Sequence, residues 1–129
     1  MNPMLRCALL ATVLVASAPA FAQVARSFPA DTLRGDLQVQ AFPEVLLNSK
    51  PARMAPGAVI RGENNLVQLP GELTGKRVLV HYRMEETSGL IRDVWILNAP
   101  ERANRVWPNS RQQAALWKFD AATQTWSKP

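Results

Sequence analysis

The chain has 129 residues, with 15 Lys and Arg against 10 Asp and Glu, one histidine and one cysteine, for a formal charge of +5 at pH 7. One cysteine excludes an intramolecular disulfide, and one histidine with no Cys/His/carboxylate cluster at ligand spacing points to no metal or haem cofactor. The basic residues are scattered and never form a run of five, so the charge reads as solubility or a weak attraction to anions.

The first 22 residues read as an export signal. Arg6 gives a short positive start, and Cys7 to Ala16 is an apolar run. That run is too short to span a bilayer as a helix, which needs about 20 residues. Ser17 to Pro19 break it, and Ala20-Phe21-Ala22 matches the small-x-small cleavage pattern. The expected product starts at Gln23, has 107 residues, and loses both Cys7 and Arg6, leaving 14 Lys and Arg against 10 acids. With no thiol and no second apolar run of spanning length, it reads as a soluble periplasmic domain with no transmembrane segment. It is large enough to bury roughly 65% of its extended-chain surface. The anions it would meet there are lipopolysaccharide, lipid headgroups and cell-wall polymers; nucleic acid is not an expected partner.

Residues 23–32 lack periodicity and read as a flexible N-terminal arm. From Leu33 the pattern is β: Leu37 and Val39 alternate with Asp36, Gln38 and Gln40. After Pro43, Glu44 to Leu47 and Ala52 to Met54 flank Asn48-Ser49-Lys50-Pro51, a hairpin with Asn48 suited to a left-handed turn position. Ala55-Pro56-Gly57 predicts a further turn. Short strands follow at Ala58 to Arg61 and at Leu66 to Leu69, separated by the turn Gly62 to Asn65 and closed by Pro70-Gly71.

The strongest signal is Arg77 to Leu97. Val78, Val80, Tyr82 and Met84 alternate with Leu79, His81 and Arg83; Glu85 to Gly89 reverses the chain; Leu90 to Leu97 returns it. Val94-Trp95-Ile96-Leu97 is apolar at every position, which suggests burial on both faces. A closed small barrel with the C-terminal segment packed outside it would supply that environment. Asn98 caps a helix candidate starting at Ala99, with Pro100 and Glu101 in its first turn and Pro108 beyond its end. A second short helix is expected over Ser110 to Leu116, and Trp117 to Trp126 reads as an aromatic hairpin.

Turn signals every 8–12 residues or so predict a mainly β fold. The first expectation is an SH3-like or OB-like barrel of about five to seven strands over residues 33–98, followed by a C-terminal helix and hairpin over 99–129. A β-sandwich is the alternative.

Little in the sequence points to catalysis. His81 alternates with Val80 and Tyr82 and reads as a strand histidine on the polar face. No serine lies in a Gly-x-Ser-x-Gly elbow, and the glycines are too far apart to form a phosphate loop. Glu72, Glu85 and Asp93 are the carboxylates a hydrolase would use, but no spacing pairs them. The richest candidate binding surface is C-terminal: Trp107, Arg105, Arg102, Trp117 and Trp126 are of the types enriched at hot spots and suited to stacking on sugars or headgroups, the other reading being that these tryptophans seal the open end of a small barrel short of other bulky core.

Arg26-Ser27-Phe28-Pro29, Leu33-Arg34-Gly35, Leu47-Asn48, Pro51-Ala52-Arg53-Met54, Pro56-Gly57, Ile60-Arg61, Val80-His81-Tyr82 and Val94-Trp95-Ile96-Leu97 together resemble small exported hypothetical proteins of β-proteobacteria. The resemblance spans about Arg26 to Leu97 and rests on turn and core residues, so it implies a fold rather than an activity. The chain departs from it at Asn48-Ser49-Lys50, where Asn-Gly is expected. The reading at this level is a binding or scaffolding module without chemistry of its own, whose partner is an envelope protein or a cell-wall or anionic lipid component. The alternatives are a binder of an anionic envelope ligand through the Trp/Arg face, and a carboxylate-dependent hydrolase.

Overall fold

The computed structural model describes residues 25–129; the expected signal peptide and its cleavage point after Ala22 lie outside them. Eight strands and two short helices follow in order. They are β1 (Leu33–Ala41), β2 (Glu44–Leu47), β3 (Lys50–Arg61), β4 (Val67–Gln68), β5 (Arg77–Met84), β6 (Ile91–Ile96), α1 (Ala99–Ala103), α2 (Arg111–Leu116), β7 (Lys118–Asp120) and β8 (Thr125–Ser127). A 3₁₀ turn at Pro70–Leu73 precedes β5.

The sheet order is β2-β1-β5-β6-β3-β4, and β2 also pairs with β3, so five strands form a closed ring with β4 appended. Closure depends on β3. Its first residues pair antiparallel with β2 (Val45 opposite Ala52), while its last residues pair parallel with β6 (Ile60 opposite Val94). This is the small barrel the alternation predicted. The sandwich alternative fails because the hydrogen bonding runs around one ring, not through two stacked sheets.

The predicted turn at Ala55-Pro56-Gly57 is instead a bulge within β3. The register slips between Met54 and Val59, and Gly57 takes φ 76°. Pro56 lacks an N–H for the ladder and is accommodated where the pairing is interrupted. The strand expected over Leu66 to Leu69 shrinks to Val67–Gln68, with Leu66, Val67 and Leu69 exposed.

Period-2 geometry sorts the side chains into two layers. Leu33, Leu37, Val39, Val80, Tyr82, Ile91 and Val94 fill the barrel interior together with Val45, Met54 and Ile60. The outer face of β1, β5 and β6 is covered in part, where Arg34 and His81 are buried and Trp95 half-buried. Phe28, Leu97, Trp107 and Trp126 pack over it, joined by Leu79, Trp95, Trp117 and Phe119. This is why Val94 to Leu97 has no polar position. It also corrects two expectations. The described part of the arm is packed rather than loose, with Phe28 buried and Arg26 Nη1 donating to Gly62 O at 2.8 Å. And His81 is 1% exposed, because the outer face it occupies is covered by the arm and the C-terminal segment.

Candidate functional site

The site follows from strand register. On the outer face, Arg34 of β1 lies opposite His81 of β5, and His81 lies opposite Trp95 of β6. The arm lays Phe28 over this row, its ring 4.4 Å from His81 and 5.4 Å from Trp95. The segment after α1 lays Trp107 on the other side, stacked on His81 at 4.2 Å, with its Nε1–H donating to Thr32 O at 2.9 Å. Helix α1 closes one flank. Asn98 and Glu101 form a capping box, Asn98 Oδ1 accepting from Glu101 N at 3.1 Å and Glu101 Oε1 accepting from Asn98 N at 3.0 Å. Between these elements is a cleft of about 240 Å³, whose lining includes Arg26, Phe28, Arg34, His81, Glu101 and Trp107.

The charged groups in the cleft are arranged unequally. Arg26 and Glu101 form a buried ion pair, with Arg26 Nε donating to Glu101 Oε2 at 3.0 Å and Nη2 to Oε1. Arg34 has only neutral acceptors. Its Nε and Nη2 donate to His81 Nε2 at 3.1 and 3.0 Å, Nη1 donates to Asn104 O at 2.6 Å, and Nη2 donates to Glu101 O at 3.0 Å. The last two carbonyls lie at the end of α1, so Arg34 caps that helix.

A guanidinium only donates, so His81 Nε2 accepts and the proton of the neutral ring sits on Nδ1. Burial pushes the His81 pKa down to about 2, and the positive charges of Arg34 and Arg26 push the same way. His81 Nδ1 has no hydrogen-bond partner among the described residues.

The residues expected to form a Trp/Arg face do not form one. Trp107 and Trp126 are buried, and Trp117 is half-buried under Lys128, whose Nζ lies 5.4 Å from its ring centroid. Arg105 is exposed; Arg102 donates to Glu63 Oε1 and to Leu97 O, both at 2.6 Å, at the side of a neighbouring surface cleft. Only Trp107 of the five lines the cleft around His81. The physical reason is that the tryptophans are required to cover the outer sheet face.

The hydrolase carboxylates are also dispersed. Glu72 is on the 3₁₀ turn, Glu85 accepts from Ser88 at the β5–β6 tip, and Asp93 on β6 faces Arg83. Among the described residues, no three of His, Cys, Asp and Glu gather closely enough to hold a metal ion. Arg26, Arg34 and Glu101 were missed as site residues. Their one sequence signal is the polar Arg34 set between Leu33 and Gly35 on a strand, and nothing local says that His81 lies beside it.

With this geometry in hand, comparison with known proteins adds nothing: no family model, no curated protein and no solved structure matches the chain.

Proposed function

We propose that the chain is an exported binding or scaffolding module of the bacterial envelope, soluble after cleavage behind Ala22, that works through the cleft around His81 and performs no chemistry of its own. One observation carries this reading. Aromatic walls from Phe28 and Trp107 meet the fixed guanidinium of Arg34 beside neutral His81 in a concave space built from arm, sheet, α1 and C-terminal segment. An apolar cleft with a few convergent polar groups is the usual form of a ligand site. The absence of chemistry is supported by His81 itself. Its Nε2 is occupied by Arg34 and its pKa is far below neutrality, so it is poorly placed to act as a general base.

The test is titration of the purified mature chain with peptidoglycan fragments, lipopolysaccharide and anionic lipid vesicles, read by tryptophan fluorescence. A saturable change is expected, lost in Trp107→Phe. No response to any of these, together with no envelope protein retained on the immobilised chain, overturns the binding reading. Turnover of any of them overturns its chemistry-free part. Full-length chain recovered from the cytoplasm of an exporting bacterium overturns the export part.

A further inference from the structure

We infer that the ligand of this cleft is a small, flat, apolar molecule bearing one carboxylate, with that carboxylate held by Arg34. The inference rests on the binding reading above and names the class of ligand.

It follows from the charges in the cleft. Both oxygens of Glu101 accept from Arg26, which neutralises that arginine. Arg34 lines the same space, is 9% exposed, and meets no carboxylate oxygen at hydrogen-bond distance. Two guanidinium groups and one carboxylate leave the cleft with one uncompensated positive charge. The carbonyls at the end of α1 offset only part of it, since a helix terminus carries a fraction of a unit charge. A guanidinium does not shed its proton in a protein, so the balance is completed by an anion from outside. A donor is also available for it. The four contacts of Arg34 use one Nη1–H, and its second Nη1–H has no partner among the described residues.

Size and charge narrow the anion. A phosphate monoester brings about −1.5 to −2 charges, more than the cleft's surplus and beside Glu101, whereas a carboxylate brings one. The volume near 240 Å³ admits about eight water-sized groups at roughly 30 Å³ each. The rings of Phe28 and Trp107 favour a planar apolar body.

The experiment is calorimetric titration of the full mature chain with benzoate, its neutral isostere benzamide, benzylamine and inorganic phosphate. Benzoate is expected to bind at least about tenfold more tightly than the other three, as a hydrogen bond to a charged group requires. Arg34→Met should lower benzoate to the level of benzamide, and Arg105→Ala, on the exposed surface, should leave it unchanged. If circular dichroism shows Arg34→Met to be unfolded, Arg34→Lys decides. It keeps the charge without the planar fork, so benzoate should stay preferred over benzamide but bind more weakly than to the parent; unchanged affinity overturns the assignment.

Benzamide binding as tightly as benzoate, a benzoate preference that survives Arg34→Met, or one lost in Arg105→Ala overturns the inference and leaves the binding reading standing. So does binding of an envelope fragment with none of the four probes bound. Failure of the probes and of the envelope panel together overturns both.

Discussion

His81 is a base held in its neutral form by the fold, and this has a measurable consequence. Its folded pKa of about 2 lies below the ordinary value of 6.5, first because of burial and then because of Arg34 and Arg26. Between those two values the unfolded chain binds more protons than the folded one, so this contribution is complete above the unfolded pKa and is lost as pH falls. We expect urea midpoints to fall between pH ~7 and ~4.5, with a His81 component of up to about 1.4 kcal/mol per pH unit. His81→Gln keeps an acceptor for Arg34 and cannot titrate, so its stability deficit should narrow on acidification; parallel curves for the two chains would refute the assignment. Arg26 and Glu101 make a second test at this scale. Their side chains are 5% and 12% exposed, so removing one partner leaves a buried charge uncompensated. Glu101→Gln preserves a side chain able to complete the capping box and should still cost about 3–5 kcal/mol in denaturant unfolding. Arg26→Met combined with Glu101→Gln should cost less than Glu101→Gln alone; a double variant at the sum of the singles would show that the two residues act independently.

Among the elements, the β2–β3 hairpin carries its strain in plain view. Asn48 and Ser49 are both left-handed, with φ of 52° and 65°, which makes a two-residue turn of the primed type. Asn tolerates this region; Ser does so at a cost. Ser49→Gly should therefore raise stability by about 0.5–1 kcal/mol and the melting temperature by a few degrees, the exposed Arg77 bond to Ser49 Oγ that it removes being worth less than the strain it relieves. A lower melting temperature would sink the strain argument. Asn48 is fixed by more than its own φ. Its Oδ1 accepts from Asp36 N at 2.9 Å and lies 2.8 Å from where a Cβ on Gly35 would stand, so turn and strand constrain each other. This hairpin, the β5–β6 hairpin, the Asn98 cap and the aromatic hairpin of Phe119 opposite Trp126 were all legible in the sequence, because each is a local pattern of turn chemistry and periodicity. The β3 bulge was not. Pro56-Gly57 is a strong local turn signal, and only pairing with distant β6 keeps the chain extended through it.

For the whole molecule, the sequence pointed to a C-terminal segment packed outside the barrel but not to the residues that build that second layer. Trp107 and Trp126 read as a ligand surface because tryptophan beside arginine often is one, but the outer face of β1, β5 and β6 needs covering and these rings cover it. The candidate site was illegible for the same reason. Arg34, His81 and Trp95 become neighbours only through strand register, and Arg26 and Phe28 reach them from an arm with no periodicity. The layer is pinned from both ends of the described chain. Gln124 accepts from Phe28 N at 2.8 Å and donates to Phe28 O at 3.3 Å, tying the arm to the turn before β8. Phe28→Ala and Trp126→Ala should each cost about 3–5 kcal/mol, since each empties a packed position. Because both residues hold one layer, the first loss should loosen what the second removes, and the double variant should fall short of the sum by about 1 kcal/mol or more. Hydrogen exchange locates the effect: in Phe28→Ala, amides of β7 and β8 should lose protection while Val80 and Ile91, inside the barrel, keep theirs. Additive costs with an undisturbed hairpin would mean that arm and C-terminus cover the sheet separately, and the cleft between them would then not depend on their joining.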